Sequence, residues 1–322
     1  MASLVDGKLR EWTGEAAITA LAHRGPADPG ARNATVWVDL TDPDKAFVGR
    51  ISHLLGIHPL VAEDIVEGNQ RGKLEVTNGV IHVVLFVLFG HPAHTTEEVD
   101  LVLGRGFLLS AHSSAWDPRA GQHARAGLEP LLRTGPDHVL WALFDEIVDS
   151  YFPFADRLEE VVDRLQNEVV AKPDRATLDE LFDLKRELIA ARRAVSPVRE
   201  ILNQLTNREL ALIDPEELIY FRDIYDHVIR LTDELDTDRE LVAATVEIYL
   251  STINNNLSTI MKRLTGVTVI LAGVGAVAGI FGMSEAGAAF KGAESAGFWL
   301  VTSGVVLLTV AVAWVLHRID WI

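Results

Sequence analysis

Two long uncharged segments near the C-terminus constrain the fold more than any other feature of the sequence. The first runs from Leu264 to Met283 and the second from Phe298 to Leu316, and neither contains a charged residue. An α-helix of about 20 apolar residues crosses a hydrocarbon core of about 30 Å, so each segment is long enough to span a membrane. Two buried helices of a soluble protein are the alternative, but two such runs separated only by residues 284–297 favour a transmembrane hairpin.

The charges that flank the two segments predict their orientation. Lys262 and Arg263 precede the first segment and Arg318 follows the second, whereas Lys291 is the only basic residue of the intervening loop. Basic residues are enriched on the cytoplasmic side of membrane proteins, so we expect both termini in the cytoplasm and the loop outside. This predicts a multi-pass protein of the plasma or inner membrane, with the lipid bilayer as a partner.

Composition excludes several classes of function. The formal net charge of −17 argues against a nucleic-acid partner, which would require a basic face, and favours cation partners or simple solubility. The chain has no cysteine, which rules out disulfides, thiolate nucleophiles and Cys-ligated zinc. No phosphate-binding loop, nucleophile elbow or HExxH motif occurs, so we predict neither an enzyme nor an organic cofactor. His91 and His94 flank Pro92 and are more typical of a loop than of a metal site.

Residues 1–133 have the pattern of a sheet with helices packed on it. Asn78-Gly79 between two apolar runs is a strong hairpin signal, and a second hairpin is predicted to turn at Gly104-Arg105. The predicted strands are 35–40, 73–77, 80–89, 99–103 and 106–111, and the predicted helices are 45–55 and 59–67.

From residue 134 to residue 263 the spacing of apolar residues changes to that of long helices with an acidic surface. The third long helix is predicted to start at Pro215, with Asp214 as its N-cap, and to continue to Met283 because no glycine or proline interrupts it before Gly266. A seven-residue apolar repeat along this helix, broken at Asp238, indicates side-by-side helix packing. Solvation explains most of the acidic residues, and weak Mg²⁺ sites are the alternative interpretation.

Several strings along the chain resemble motifs of one family, the CorA family of divalent-cation channels. The strings lie in the N-terminal domain, at the start of the third long helix and at both ends of the first uncharged segment. They are His58-Pro59-Leu60 with Glu63-Asp64, Arg71-Gly72-Lys73-Leu74-Glu75, Tyr220-Phe221-Arg222-Asp223-Ile224-Tyr225-Asp226-His227, Met261-Lys262-Arg263-Leu264-Thr265, and Gly279-Ile280-Phe281-Gly282-Met283.

The resemblance implies a funnel-shaped homopentamer of the CorA type, with an α+β cytoplasmic domain, long helices and a two-span transmembrane hairpin. The implied activity is transport of a divalent cation, with Mg²⁺ first and Co²⁺ or Ni²⁺ as further candidates. It also implies that Asp223 binds regulatory cytoplasmic Mg²⁺ between subunits, with Glu97 or Glu98 as candidate partner acids. The implied divisions are residues 1–133, 134–263, 264–283 (pore-lining), 284–297 (external) and 298–322.

The resemblance assigns the pore to one face of the first span, although a helix-packing face would carry the same small and apolar residues. Apolar rings at its cytoplasmic end would gate by dewetting, and small residues beyond them would leave room for a hydrated ion. The expected pore-lining residues are Ser258, Met261, Leu264, Thr268, Ala272, Gly275 and Gly279. The expected selectivity mouth is Gly282, Met283, Ser284 and Glu285.

Ser284 and Ser258 stand where the family has asparagine, and the usual proline of the first span is missing. Two further functions therefore stay open. One is a transition-metal transporter of the same fold, for Zn²⁺, either passive or coupled to protons. The other is a membrane-tethered ion sensor that does not conduct.

Overall fold

The computed structural model describes residues 1–5, 8–23, 35–88, 96–171, 173–282 and 296–318. The strands in this part of the chain are β1 (Ala2–Val5), β2 (Lys8–Glu11), β3 (Val36–Thr41), β4 (Lys73–Thr77), β5 (Val80–Leu88), β6 (Thr96–Gly104) and β7 (Phe107–His112). The α-helices are α1 (Gly14–Ala22), α2 (Lys45–Leu55), α3 (Pro59–Glu67), α4 (Gln122–Ala126), α5 (Leu128–Thr134), α6 (Pro136–Asp149), α7 (Tyr151–Ala171), α8 (Arg175–Asn207), α9 (Leu218–Gly282) and α10 (Ala296–Arg318).

The described strands form one sheet in the order β2-β1-β3-β7-β6-β5-β4. Only β3 and β7 are parallel among the described pairs, and β1 and β2 form an N-terminal hairpin that the sequence patterns did not predict. One face of the sheet packs against α1, α2 and α3 around Val38, Val102 and Leu109. Helix α6 contacts the sheet at β3, β6 and β7, which buries the centre of the domain.

The β4–β5 hairpin turns at Asn78-Gly79 as predicted, and both residues have positive φ angles of 50° and 79°. The second hairpin, β6–β7, turns one residue later than predicted, at Arg105-Gly106, where Gly106 has a φ of 77°. Gly104 is instead the last residue of β6. A Cβ atom on Gly104 would lie 2.1 Å from the Phe107 ring, so this glycine makes space for its cross-strand neighbour.

The predicted start of the third long helix at Pro215 is wrong, because α9 begins at Leu218. The side chain of Asp214 accepts a hydrogen bond from the Glu216 N–H at 3.0 Å, as an N-cap would. The N–H of Asp214, however, donates to the Asp137 carboxylate on α6 at 2.9 Å. The Glu217 N–H also donates to the Asp214 carbonyl at 2.9 Å, so the segment forms a turn against α6 before α9 starts.

Helix α9 is continuous over 65 residues, from Leu218 to Gly282. At about 1.5 Å per residue it is roughly 98 Å long. Most of the predicted seven-residue repeat is buried, including Val228, Leu235, Val242 and Tyr249, but Ile260 at its far end is 60% exposed. Helix α8, which an ion pair from Arg192 to Asp236 links to α9, also buries leucine, alanine and valine side chains at helical spacing along its length.

The chain divides into two compact units. The first comprises Met1–Asn167 with Ala176–Ala244, and it holds the whole sheet and the acidic part of the helices. The second comprises Glu168–Arg175 with Thr245–Ile322. Among the described helices, α9 contains a stretch long and apolar enough to cross a membrane, and α10 contains a shorter apolar stretch from Thr302 to Arg318.

Candidate ion pathway and regulatory site

One face of α9 carries all of the residues predicted to line the pore. Each residue of an α-helix turns the chain by about 100°, so positions spaced by three and four stay within an arc of about 120°. Every side chain on this arc is exposed in the single chain. The residues are Ser258, Met261, Leu264, Thr268, Ala272, Gly275 and Gly279.

The apolar members of this face are not buried by their own chain. Met261 is 58% exposed and Leu264 is 59% exposed, which is far more than apolar residues of a folded core show. A continuous exposed apolar surface marks a contact with lipid or with another protein chain. Lipid or another protein chain must therefore pack against this surface, because its own chain does not.

The Thr268 hydroxyl is already used as a donor within α9. It donates a hydrogen bond to the Leu264 carbonyl at 2.8 Å, and Thr265 does the same to the Met261 carbonyl at 2.8 Å. A hydroxyl oxygen retains acceptor lone pairs when its proton is bound in this way. Thr268 therefore presents an acceptor along the helix face, which suits a cation or the water that surrounds it.

The glycines of this face are not required by packing inside the chain. A Cβ atom built on Gly275 or on Gly279 meets no other atom within 4 Å. Helix α9 ends at Gly282. The other predicted mouth residues, Met283, Ser284 and Glu285, lie outside the described residues, as do His91 and His94.

The stalk string around Asp223 combines a buried anchor, Phe221, with a partly exposed aromatic contact, Tyr220, and an exposed acid. Phe221 is fully buried and makes an edge-to-face contact with Phe144 of α6, with ring centroids 6.0 Å apart. Tyr220 packs on Trp141 at 4.9 Å. The side chain of Asp223 is 74% exposed, and its Oδ2 lies 4.0 Å from Nε2 of His227 one turn further along. These aromatic contacts fix the helix on the domain, and the carboxylate stays available to a ligand from outside the chain.

The two candidate partner acids for Asp223 lie on β6. Glu97 is half-buried opposite Val87. Glu98 accepts a hydrogen bond from the Gln70 N–H at 2.9 Å. Burial, followed by the charge of Asp100, raises the pKa of the Glu98 carboxyl to about 7. Glu98 is thus engaged within its own sheet, and neither acid is placed beside Asp223 by the described contacts, so the pairing stays a prediction.

A further cluster of charged side chains was missed by sequence reasoning. Asp64, Glu75 and His82 have potential ligand atoms that all lie within 4.8 Å of one another. Asp64 and Glu75 belong to two of the family-like strings quoted above, so the sequence already singled out two members of the cluster. The strings do not reveal the cluster, because only the strand register places Glu75 opposite His82.

Comparison with known proteins identifies the family of this chain. A family profile described as "CorA-like Mg2+ transporter protein" matches residues 32–318. The cobalt/magnesium transport protein CorA of Thermotoga maritima is 32% identical over 77% of this chain and 72% of its own length.

Solved structures show the same fold. The complete structure of the CorA magnesium transporter from Methanocaldococcus jannaschii has a TM-score of 0.80 at 22% identity, and the match covers 100% of this chain and 98% of that one. The full-length CmaX protein has a TM-score of 0.75 at 18% identity, with 99% of this chain and 97% of that one covered. These similarities confirm the predicted fold class and the resemblance, and the profile match over nearly the whole sequence shows that the chain belongs to the family of CorA-like Mg²⁺ transporter proteins.

Proposed function

We propose that this protein is a channel for divalent cations, with Mg²⁺ as the principal ion and Co²⁺ and Ni²⁺ as further ions. The observation that carries the proposal is the exposed face of α9, which combines apolar side chains, the hydroxyls of Ser258 and Thr268, and glycines on a single helix. Family membership supports it, as does the name of the Thermotoga maritima relative, a cobalt/magnesium transport protein.

The proposed assembly is a homopentamer in which five copies of α9 surround the pore. Met261 and Leu264 form apolar rings near the cytoplasmic end, and such rings close a pore by excluding water. Beyond them Thr268 offers its oxygen to the hydration shell. Ala272, Gly275 and Gly279 leave room for a hydrated ion, which suits Mg²⁺ because it dehydrates reluctantly.

The proposed topology places both termini in the cytoplasm of a plasma or inner membrane, with residues 284–297 outside. Ser284 and Glu285 then stand at the external mouth. A serine hydroxyl accepts hydrogen bonds from a hydrated cation but reaches less far than an asparagine amide. Glu285 follows at once and supplies electrostatic attraction at the same place.

The test of this function is ion uptake by proteoliposomes that contain the purified protein and a Mg²⁺-sensitive dye. We expect Mg²⁺ influx when the interior is negative, because each charge that crosses gains about 2.3 kcal/mol per 100 mV. We also expect Mg²⁺ inside the vesicles to suppress the influx. A well-folded oligomer that passes neither Mg²⁺ nor Co²⁺ would contradict the proposal.

Two other functions stay open, and the same vesicles distinguish them; the non-conducting sensor rests on Ser258 and Ser284 standing where the family resemblance implies asparagine. Zn²⁺ flux that follows a pH gradient, without Mg²⁺ flux, would indicate a proton-coupled transition-metal transporter. Absence of any flux would indicate a non-conducting ion sensor. In that case the double reversion of Ser258 and Ser284 to asparagine is expected to restore conduction.

We further propose that Asp223 binds cytoplasmic Mg²⁺ at a subunit interface and so stabilises the closed state. A cation that binds only one state shifts the population toward that state by its differential affinity. The exposure of the Asp223 carboxylate beside the rigid Phe221 anchor supports this role. His227 lies beside it and makes an edge contact with Phe152 of α7, which limits its movement.

Asp223→Ala is expected to weaken the protection of the protein by Mg²⁺ against limited proteolysis. The variant should need several-fold more Mg²⁺ for half-maximal protection while its unfolding temperature without Mg²⁺ is unchanged, because the side chain makes few contacts. Glu240→Ala is the control, since Glu240 is another exposed acid of α9. Identical Mg²⁺ protection curves for Asp223→Ala and wild type would overturn this role.

A further inference from the structure

A charged cluster lies on the α3-covered face of the sheet, at the β4–β6 end. The strand register places Glu75 of β4 opposite His82 of β5, and Lys73 of β4 opposite Val84. Val84 is in turn opposite Asp100 of β6, so these charged side chains share one face of the pleat. Asp64 reaches the same place from α3, as its ion pair with Lys73 shows.

The cluster has the arrangement of a metal-binding histidine supported by a carboxylate. His82 is completely buried, and its Nε2 is 2.7 Å from Oδ1 of Asp100, whose side chain is 5% exposed. When Nε2–H donates to that carboxylate, the lone pair is on Nδ1. A carboxylate that orients a histidine in this way is the usual outer partner of a metal-ligating imidazole.

The second ring nitrogen of His82, Nδ1, is the observation that indicates a bound ligand. Nδ1 is buried and has no hydrogen-bond partner among the described residues. A buried polar atom without a partner costs about 1–3 kcal/mol, so it requires an explanation. His112 provides the comparison within the same sheet: it also pairs with an aspartate, Asp39, but its second ring nitrogen lies 2.7 Å from the Ser113 carbonyl.

Two carboxylates complete a set of three potential ligands. Oxygen atoms of Asp64 and Glu75 and a ring nitrogen of His82 all lie within 4.8 Å of one another. Metal–ligand distances of about 2.0–2.2 Å in a tetrahedral site place ligand atoms about 3.4 Å apart, so the most distant of these atoms would have to move closer by up to about 1.4 Å. Glu75 can make this movement because its side chain is half exposed on β4, the edge strand of the sheet.

The position between the carboxylates is held by a cation of the chain itself. Nζ of Lys73 is 2.7 Å from the Asp64 carboxylate and 3.3 Å from that of Glu75. The Lys73 side chain is partly exposed on a flexible stem, so the ammonium can move into solvent when another cation replaces it. A divalent ion would also balance the cluster better, since one ammonium faces the carboxylates of both Asp64 and Glu75.

We propose that Asp64, Glu75 and His82 bind one transition-metal ion of the Co²⁺, Ni²⁺ or Zn²⁺ class. Lys73 is the internal cation that this ion displaces, and Asp100 is the positioning residue for His82. An imidazole nitrogen selects such metals, whereas Mg²⁺ prefers oxygen ligands alone. The site lies within one chain and is separate from the face of α9. It therefore does not depend on which ion the membrane part conducts.

The test is a titration of the full-length protein in detergent with Co²⁺, in excess Mg²⁺, followed by the visible absorption of the bound ion. We expect a band from nitrogen-ligated Co²⁺ that saturates at one ion per chain. His82→Phe should remove this band, and Glu75→Gln should weaken binding about tenfold or more. Asp100→Asn should also weaken Co²⁺ binding by about 10–100-fold, which is the usual effect of losing a residue that hydrogen-bonds to a metal-ligating histidine. Lys73→Met should strengthen binding, because the competing ammonium is gone.

Two features of the design separate this site from other metal sites of the protein. His112→Asn alters a histidine–aspartate pair of the same sheet that has no unpartnered nitrogen, and it should leave the Co²⁺ band unchanged. Glu75→Gln acts on a half-exposed side chain, so it keeps the test decisive if a buried variant fails to fold. An unchanged band in Glu75→Gln, weaker binding in Lys73→Met, or full competition by Mg²⁺ would each overturn the proposal.

Discussion

Gly279→Leu is expected to abolish ion flux through the reconstituted protein, whereas Gly273→Leu should leave the flux close to that of wild type. Both glycines belong to the apolar part of α9, and in the single chain a Cβ atom on either meets nothing within 4 Å. Both substitutions are therefore expected to have the same effect on the stability of the isolated chain. Any difference between them must come from what surrounds α9 in the assembled protein.

The two glycines differ in the side of the helix on which they lie. At about 100° per residue, Gly279 is about 40° from Gly275, on the proposed pore face, whereas Gly273 is about 160° from Gly275. In the proposed homopentamer, a leucine at Gly279 would place five branched side chains around the proposed pore. A leucine at Gly273 would lie away from the pore axis.

The measurement is Mg²⁺ influx into proteoliposomes at matched protein density, with oligomer size checked by size-exclusion chromatography. Gly279→Leu should elute as wild type and fail to conduct. The proposed pore face would be wrong if Gly273→Leu blocked flux and Gly279→Leu did not. If both blocked it, α9 would be closely packed on both sides at this depth, and a pore along this face alone would be excluded.

Much of the fold could be predicted because local rules determine it. Asn78-Gly79 requires two positive φ angles in a two-residue hairpin, and the chain turns there. The helices at residues 45–55 and 59–67 were predicted with their final bounds, since each ends at a glycine with a left-handed conformation. One uninterrupted helix likewise fixes which residues of α9 share a side, whereas the choice of the candidate pore side rests on the family resemblance.

The features that were missed depend on contacts between distant segments. The start of α9 was predicted three residues early because nothing near Asp214 shows that its N–H is bound by Asp137. Gly104 looks like a turn residue in the sequence, yet its role is to clear the Phe107 ring. The cluster of Asp64, Glu75 and His82 joins one helix and two strands. Such a cluster becomes visible only when the strand register is known.

A buried acid in the helical part of the first unit should make the stability of the protein depend on pH. Asp238 is 3% exposed and interrupts the apolar repeat of α9, and its Oδ2 has no hydrogen-bond partner among the described residues. Burial, together with the charges of nearby acids, raises the pKa of the Asp238 carboxyl to about 6. Those acids are Glu159, Glu234 and Asp163.

The direction in which stability changes with pH follows from the pKa of the Asp238 carboxyl in the folded protein and its pKa in the unfolded chain. The ordinary value for this carboxyl is 3.8, so the folded protein binds the proton more tightly than the unfolded chain does. The free energy of unfolding therefore falls as pH rises through the interval from about 4 to about 6, and it stays lowered above that interval. One pKa difference of this size corresponds to about 1–3 kcal/mol at neutral pH and above.

Asp238→Asn should remove this penalty, because the amide stays neutral at every pH. Relative to wild type, we expect the variant to gain about 1–3 kcal/mol between pH 4.5 and pH 8, measured by denaturant unfolding of the detergent-solubilised protein. Asp233→Asn is the control, since Asp233 is an exposed acid of the same helix and should show no such gain. If the difference between Asp238→Asn and wild type were the same at both pH values, the carboxyl would be equally protonated in the folded and unfolded states. The pKa of the Asp238 carboxyl would then not be raised in the folded protein, and neither its burial nor the nearby acids would make stability depend on pH.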